Sequence, residues 1–369
     1  MKIVIFTSIT GHKSLAEAAK SFLENLPGVE IKIIDLMNDK FWNLYKFSYR
    51  FAPFFTKIPF ELSKNEIICE MVKNYFITKY RKKILDVLSK EKPDVVITTY
   101  FGYIPILDEI KDISNFYFIN LISDPVTIHP LLFSIKADYN IGFGKYCLKV
   151  GKRLGLKNIL PAGWLVRKKF FEEVEKEKIL KKYGLKDIFT ILVCGGSEGS
   201  NSIFMLLPIL FFSNFSRDFQ VIFICGNNET LKRVILQTYR FAKKFNRSLP
   251  KIIVKGFTDN LNEFMAISNV VIGKAGPNLI FESVSMLKPF IAITHISGQE
   301  DGNLELIKEL KFGWVAEDPI SAKRVIEDLI KNPNKLEKFK RNLSKYRKIN
   351  FDTGLKLSEI VKCYSNVKT

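Results

Sequence analysis

Short apolar runs recur along this chain, each separated from the next by enough mixed or polar sequence for a helix or a long turn. In the first half the runs at 2–6, 30–35, 94–98 and 115–122 read as strands, with helices over 14–25 and 79–90. Strands that are apolar at consecutive positions are buried on both faces, so the pattern predicts a parallel sheet covered by helices on each side. The stretch 155–167, broken at Pro161-Ala162-Gly163, reads as a crossing between domains. A second series follows, with strands at 189–194, 220–225, 251–254, 270–272 and 290–293. The expectation is an α/β chain in two domains, 1–162 and 163–349. A C-terminal helical segment, 350–369, has amphipathic spacing that suits packing back on the first domain. Ligands of such sheets bind beyond the carboxyl ends of the strands, and two facing sheets would place a cleft between the domains.

Two glycine turns stand at such strand ends. The run Val270-Val271-Ile272 breaks at Gly273-Lys274-Ala275-Gly276-Pro277 and gives way to a helix. The first amides of a helix lack internal partners and carry the positive end of its dipole, and glycine lets an anion approach the backbone. Pro277 suits the first helical turn, Lys274 adds a positive charge, and Glu282 falls about one and a half turns inside, where a carboxylate can grip vicinal hydroxyls. A single turn of this kind is common in α/β chains. Here it has a twin, because the apolar run 189–194 ends in Gly195-Gly196-Ser197-Glu198-Gly199-Ser200. Two such turns, with Gly298-Gln299-Glu300 following in sequence, favour one nucleotide diphosphate held by both.

Composition narrows the partners. A formal net charge of +19 and a pI near 9.5 point to a negatively charged partner: nucleic acid, an anionic membrane or a phosphorylated substrate. Part of that charge is spread on Lys-rich helix faces such as 331–348. Five cysteines without paired spacing argue against a disulfide framework or a zinc site. No apolar run reaches transmembrane length and the start has no signal-peptide pattern, so the expected compartment is the cytoplasm, at a membrane face. The segment 41–60 is dominated by aromatics, among them Trp42, Tyr45 and Tyr49, is interleaved with Lys46, Arg50 and Lys57, and has no acidic residue. That mixture suits a membrane interface. A buried aromatic helix pair is the plainer reading, and single-stranded nucleic acid is a third, unsupported by any nucleic-acid motif.

The three histidines, His12, His129 and His295, all follow apolar strands. A histidine there is placed where a cleft would need a base, and its ordinary pKa suits proton transfer near neutrality. A lone histidine is more often structural, and position favours function for His12 and His129 over His295.

Taken together, Gly273-Lys274-Ala275-Gly276-Pro277 with Glu282, Gly298-Gln299-Glu300 with Gly302-Asn303, the diglycine turn at Gly195, Ser123-Asp124 with His129-Pro130, and Gly11-His12 resemble the monogalactosyldiacylglycerol synthase family. That family includes the bacterial processive diacylglycerol glucosyltransferases. The chain is more distantly similar to the peptidoglycan lipid-linked N-acetylglucosaminyltransferase. The resemblance implies a GT-B fold, two Rossmann-like domains facing a cleft. It implies an inverting transfer of a hexose from a UDP-sugar to a membrane lipid such as diacylglycerol, with no cofactor, no metal and no nucleic-acid partner, at the cytoplasmic face of an anionic membrane. It places the diphosphate at Gly195, Gly196, Ser197, Lys274, Gly276 and Pro277, the ribose on Glu282, the nucleobase at Phe257 and the donor sugar on Gln299 and Glu300. His12 becomes the base, His129 shapes the acceptor side, and the segment holding Trp42, Tyr45 and Tyr49 meets the lipid. Three positions depart from the family pattern. The first loop, Thr7-Ser8-Ile9-Thr10-Gly11-His12, lacks the family's acidic residue, which makes Asp124 a candidate to orient or replace the base; Leu132 stands for a tryptophan and Asn278 for a glycine. Rival readings are another nucleotide-sugar enzyme, such as an epimerase, and a non-catalytic lipid-binding descendant of a transferase.

Overall fold

The structure is a computed structural model, and it describes residues 1–8, 11–37, 56–196, 199–246 and 249–368, with side chains to 365. The chain divides into two compact units. The first comprises Met1–Lys168, Ile296–Gly302 and Lys348–Thr369; the second comprises Lys169–His295 and Asn303–Arg347.

The first unit runs β1 (Lys2–Phe6), α1 (Gly11–Leu23), β2 (Glu30–Ile34), α2 (Lys57–Leu62), α3 (Glu66–Glu91), β3 (Val95–Thr98), α4 (Ile104–Ile110), β4 (Tyr117–Leu121), β5 (Tyr139–Phe143), α5 (Gly144–Arg153) and β6 (Ile159–Ala162). Its strands pair in the order β2-β1-β3-β4-β5-β6, parallel throughout. Ile3 through Phe6 and Val95 through Ile97 are fully buried, as strands covered on both faces must be. β6 contains Pro161, read above as a break. It is tolerated because β6 is the sheet edge, where a missing N–H costs no inner ladder bond. Asn120 on β4 and Asn140 on β5, opposite each other in register, are also fully buried. Their amides satisfy each other and the chain after His129: Asn120 Nδ2 donates to Asn140 Oδ1 at 2.7 Å and to Leu132 O at 2.8 Å, and Asn140 Nδ2 donates to Ser134 O at 2.8 Å. Breaking such a buried network costs about 1–3 kcal/mol per orphaned group, so it holds the His129 loop firmly.

The second unit runs β7 (Phe189–Cys194), β8 (Phe219–Ile224), β9 (Lys251–Lys255), β10 (Val270–Lys274), β11 (Phe290–Thr294) and β12 (Gly313–Val315), in the order β12-β11-β10-β7-β8-β9. With them lie α6 (Lys176–Tyr183), α7 (Leu206–Phe212), α8 (Glu229–Ala242), α9 (Leu261–Ala266), α10 (Pro277–Ser285), α11 (Asp301–Glu309, whose first two residues belong to the first unit) and α12 (Pro319–Lys331), α6 preceding β7 and α12 following β12. The core gathers Val193, Phe211, Phe223, Leu231, Ile272 and Ile326 between helices and sheet. The last helix, α13 (Glu337–Lys368), starts 13 residues before the predicted segment. Within the first unit its distal part packs Phe351 against Phe22 and Tyr364 against Tyr117, while Thr353 Oγ1 accepts from Gly163 N at 2.7 Å.

Candidate functional site

Each sheet reverses its direction of growth once. In the second unit the chain begins at β7, adds β8 and β9 on one side, then returns to place β10 on the other. β7 and β10 are therefore neighbours, with Gly273 opposite Cys194, and the two predicted anion turns lie side by side at a topological switch point, the standard ligand position in such a sheet.

Each turn is shaped by close approach. A side chain on Gly273 would meet Leu279 Cδ2 at 2.7 Å and Cys194 O at 2.9 Å, so only glycine lets β10 lie this close to β7. Gly276 caps α10 in extended conformation and Pro277 occupies its first turn, as the sequence predicts. In the other turn Ser200 N donates to Gly195 O at 2.7 Å, and Gly196 and Gly199 take φ of +75° and +68°. The helix expected from Asn201 starts as a 3-10 turn, Asn201–Met205, before α7. Glu282 is 5% exposed, and its carboxylate lies near enough to Cys194 to add to the upward push that burial gives that thiol. The ribose candidate thus stands beside the diglycine strand. Lys274 is half-buried at the end of β10, and Phe257, 60% exposed, follows β9 at the same end of the sheet. Ser197 lies outside the described residues.

One residue here, Asn228, escaped sequence reading, and another, Asn303, was named in the motif but given no role. Asn228 donates from Nδ2 to Gly199 O at 2.9 Å while its Oδ1 caps α8 by accepting from Leu231 N at 2.9 Å, so it staples the diglycine turn to the next crossover. Its Asn-then-Glu start on a helix was the available signal. Asn303, 2% exposed, donates from Nδ2 to Ala275 O at 2.8 Å, and its Oδ1 has no hydrogen-bond partner among the described residues. A buried amide oxygen left over beside the Gly276 turn is an acceptor in reserve for a hydroxyl.

In the first unit the switch point falls between β1 and β3, and His12 spans it. The second residue of α1, it places Nδ1 2.7 Å from Thr99 O, beyond β3. A carbonyl only accepts, so Nδ1 carries the proton and Nε2 is left as the acceptor, with no hydrogen-bond partner among the described residues. Burial pushes the imidazole down to about 4, with the Thr99 bond opposing the shift, so the ring is neutral at pH 7. Thr99 Oγ1 donates back to His12 O at 3.1 Å and meets Thr7 Oγ1 at 2.8 Å, and the ring stands edge-on to Tyr100. The ring nitrogen that an orienting carboxylate would hold is thus held by a backbone carbonyl. Ser8, fully buried at the end of β1, has a hydroxyl with no partner among the described residues.

Asp124 sits beyond β4, 6% exposed, and accepts from Gln299 Nε2 at 3.1 Å to Oδ1. Gln299 and Glu300 belong to the segment Ile296–Gly302, which is part of the first unit. Within that unit the segment is tied down repeatedly. Thr56 Oγ1 donates to Ser297 O at 2.8 Å, Lys57 pairs with Asp301 at 3.1 Å, and Gly302 N donates to Thr127 Oγ1 at 3.0 Å. Glu300, 4% exposed, accepts from Ile296 N at 2.8 Å.

His129 uses both nitrogens locally. Nδ1 accepts from Leu131 N at 3.1 Å, which leaves Nε2–H to face Ser63 Oγ at 3.1 Å, and burial lowers its pKa. A ring so occupied shapes its surroundings rather than taking a proton. His295 pairs with Glu317 at 2.6 Å in the second unit. Trp42, Tyr45 and Tyr49 lie outside the described residues. The neighbouring α2 and α3 expose Ile58, within the segment 41–60, and also Leu62, Ile67, Met71 and Tyr75, which extend that apolar surface beyond the segment the sequence reading picked out. Among the described residues no helix is long and apolar enough to cross a membrane, and no three His, Cys, Asp or Glu side chains gather to hold a metal.

Two family models match the chain, one for monogalactosyldiacylglycerol (MGDG) synthase over residues 10–157 and one for the glycosyltransferase family 28 C-terminal domain over 190–356. The processive diacylglycerol beta-glucosyltransferase of Staphylococcus epidermidis is 27% identical over 313 residues, 81% of this chain and 73% of the relative. Monogalactosyldiacylglycerol synthase 1, chloroplastic, of Arabidopsis thaliana is 25% identical over 355 residues, 89% of this chain and 64% of the relative. Among solved structures, the S. aureus MnaA-UDP co-structure superposes with a TM-score of 0.62 at 12% identity, covering 99% of this chain and 97% of that one. At that identity the likeness speaks to fold, and the fold is GT-B: two α/β domains, each on a six-stranded parallel sheet.

Proposed function

We propose that the chain is a glycosyltransferase of the monogalactosyldiacylglycerol synthase family that moves a hexose from a UDP-sugar to the hydroxyl of diacylglycerol or a related membrane lipid, with inversion at the anomeric carbon. The observation that carries the donor side is the pairing of the Gly195 and Gly276 turns at one switch point, with Glu282 buried beside them. In the reaction the lipid oxygen attacks the anomeric carbon. The bond from that carbon to the diphosphate oxygen breaks, and UDP leaves with the electron pair. The amides opening α10, together with Lys274, stabilise the negative charge that develops on the leaving diphosphate. Glu282 grips the ribose hydroxyls, Phe257 covers the base, and Gln299 and Glu300 serve the sugar. The proton of the lipid hydroxyl goes to His12 Nε2, which is neutral and already turned to accept by the Thr99 bond. Asp124 anchors Gln299, and His129 keeps the acceptor loop in shape.

The reaction needs no resident cofactor or metal, and the enzyme works as a peripheral protein on the cytoplasmic face of an anionic membrane. Ile58, Leu62, Ile67, Met71 and Tyr75 form its lipid-facing surface on the first unit. The test is transfer of label from UDP-glucose and UDP-galactose to diacylglycerol in anionic mixed micelles, with a lipid-free control. Labelled glycolipid from one donor supports the reading and names the sugar. Consumption of donor without lipid, or no binding of either donor, refutes it.

A further inference from the structure

A separate surface lies on the second unit. Phe212 ends α7, Phe241 stands in the last turn of α8, and Phe245 follows in the turn beyond it; they are 48%, 55% and 71% exposed. Their rings touch in series, Phe212 to Phe241 at 6.5 Å between centroids and Phe241 to Phe245 at 5.0 Å. Helices that link parallel strands run back toward the strands' amino ends, so this cluster sits at the end of the sheet opposite the Gly195 and Gly276 turns. The donor machinery therefore gives no reason for it. Three exposed phenyl rings in contact are an apolar patch with no hydrogen-bonding group of their own, and patches of this kind mark interaction surfaces.

Along the α8 end that carries two of the rings the charge is basic. Arg240, Lys243 and Lys244 are exposed beside the rings, and the chain has no acidic residue between Glu229 and Asp259. The approach to β8 adds only Arg217 and Asp218, which offset each other. Phenyl groups entering the acyl boundary while Lys and Arg meet phosphate-bearing headgroups is the chemistry of an interfacial membrane contact. A second copy of this chain fits poorly, because it would bring like basic rims together on molecules of net charge +19. We propose that Phe212, Phe241 and Phe245, with Arg240, Lys243 and Lys244, form a second anionic-lipid-binding surface, carried by the second unit and independent of catalysis.

The test uses the full chain. Cys363 is the exposed thiol and the other four cysteines are buried, so a Cys363→Ser, Phe245→Cys variant accepts an environment-sensitive fluorophore at one position. With vesicles of phosphatidylglycerol and phosphatidylcholine the label should shift to shorter wavelength and brighten, and with phosphatidylcholine alone it should not. In the otherwise native chain, Phe241→Ser should weaken co-sedimentation with anionic vesicles about fivefold or more while UDP affinity stays unchanged. A label that stays unmoved while the protein sediments with vesicles overturns this surface but leaves the first-unit face and the transferase reading in place. Absence of any vesicle binding overturns both membrane surfaces, and UDP binding then shows whether the donor site survives. A lipid-independent shift that grows with protein concentration, or one produced by RNA alone, assigns the patch to another occupant and also overturns the proposal.

Discussion

The two sheets reverse at equivalent points and fill those points differently. Between β1 and β3 the first unit sets side chains, with His12 held by a backbone carbonyl, Thr7 and Thr99 locked together, and a buried Ser8 hydroxyl in reserve. Between β7 and β10 the second unit sets backbone, with glycines at close approach or positive φ and one buried carboxylate. In the proposed reaction, one scaffold would supply a neutral proton acceptor in one unit and an anion cradle in the other. The difference suits the two proposed roles: a proton acceptor needs a side chain, whereas a diphosphate needs N–H groups that only a bare backbone can bring near.

If that division is right, the largest effect belongs to the first centre. His12→Ala should lower turnover by about 10²–10⁴-fold, the usual worth of a positioned base, with UDP affinity close to wild type. Titration calorimetry with UDP beside a turnover assay separates the two quantities, and turnover near wild type would remove His12 as the base.

Damage to the second centre should show the reverse split. A methyl on Gly199 would stand 2.3 Å from Asn228 Cβ at a φ of +68°, so Gly199→Ala should cost about 3 kcal/mol and loosen UDP. Gly196 has the same hand of backbone, but among the described residues nothing lies within 4 Å of where its methyl would stand, and Gly196→Ala should cost only about 1 kcal/mol. Equal losses in denaturant unfolding would mean that backbone strain rather than crowding shapes the turn. Glu282→Ala comes next, with UDP held roughly tenfold to a hundredfold less tightly, as for a lost hydrogen bond to a charged group. Unchanged UDP affinity would take Glu282 out of the ribose role.

The two centres were unequally legible in the sequence. The glycine turns, Pro277 and Glu282 stood out because backbone geometry is written into residue type over a few consecutive positions. The Thr99 carbonyl that holds His12 has no such mark, since every residue carries one and 87 positions separate the pair. The bond from Gln299 to Asp124, 175 positions apart, is hidden for the same reason. Strand β5 was missed because its buried Asn140 looks like a turn residue until Asn120 and Ser134 are seen to satisfy it. Strand β6 was missed because Pro161 signals a break unless the strand is known to lie at an edge. The start of α3 was lost because Ile67, Met71 and Tyr75 face outward and blur the polar–apolar contrast that marks a helix.

The smallest effect is a slope rather than a loss, and it sharpens the comparison most. Burial holds the folded His12 at about 4, below its ordinary 6.5, so between those values the unfolded chain binds a proton that the folded chain refuses. That contribution therefore lowers stability as pH falls from about 6.5 toward 4, and it is absent above 6.5. His12→Asn should flatten this part of the stability profile, so that the variant gains on the wild type as the solution is acidified. Gly199→Ala changes only packing and backbone, and its cost should be the same at pH 5 and pH 7. Urea unfolding of both variants across that range reads the contrast directly. A His12→Asn curve parallel to wild type would show that the first centre does not hold its imidazole in the neutral form, and the distinction between a titrating centre and a backbone one would fail with it.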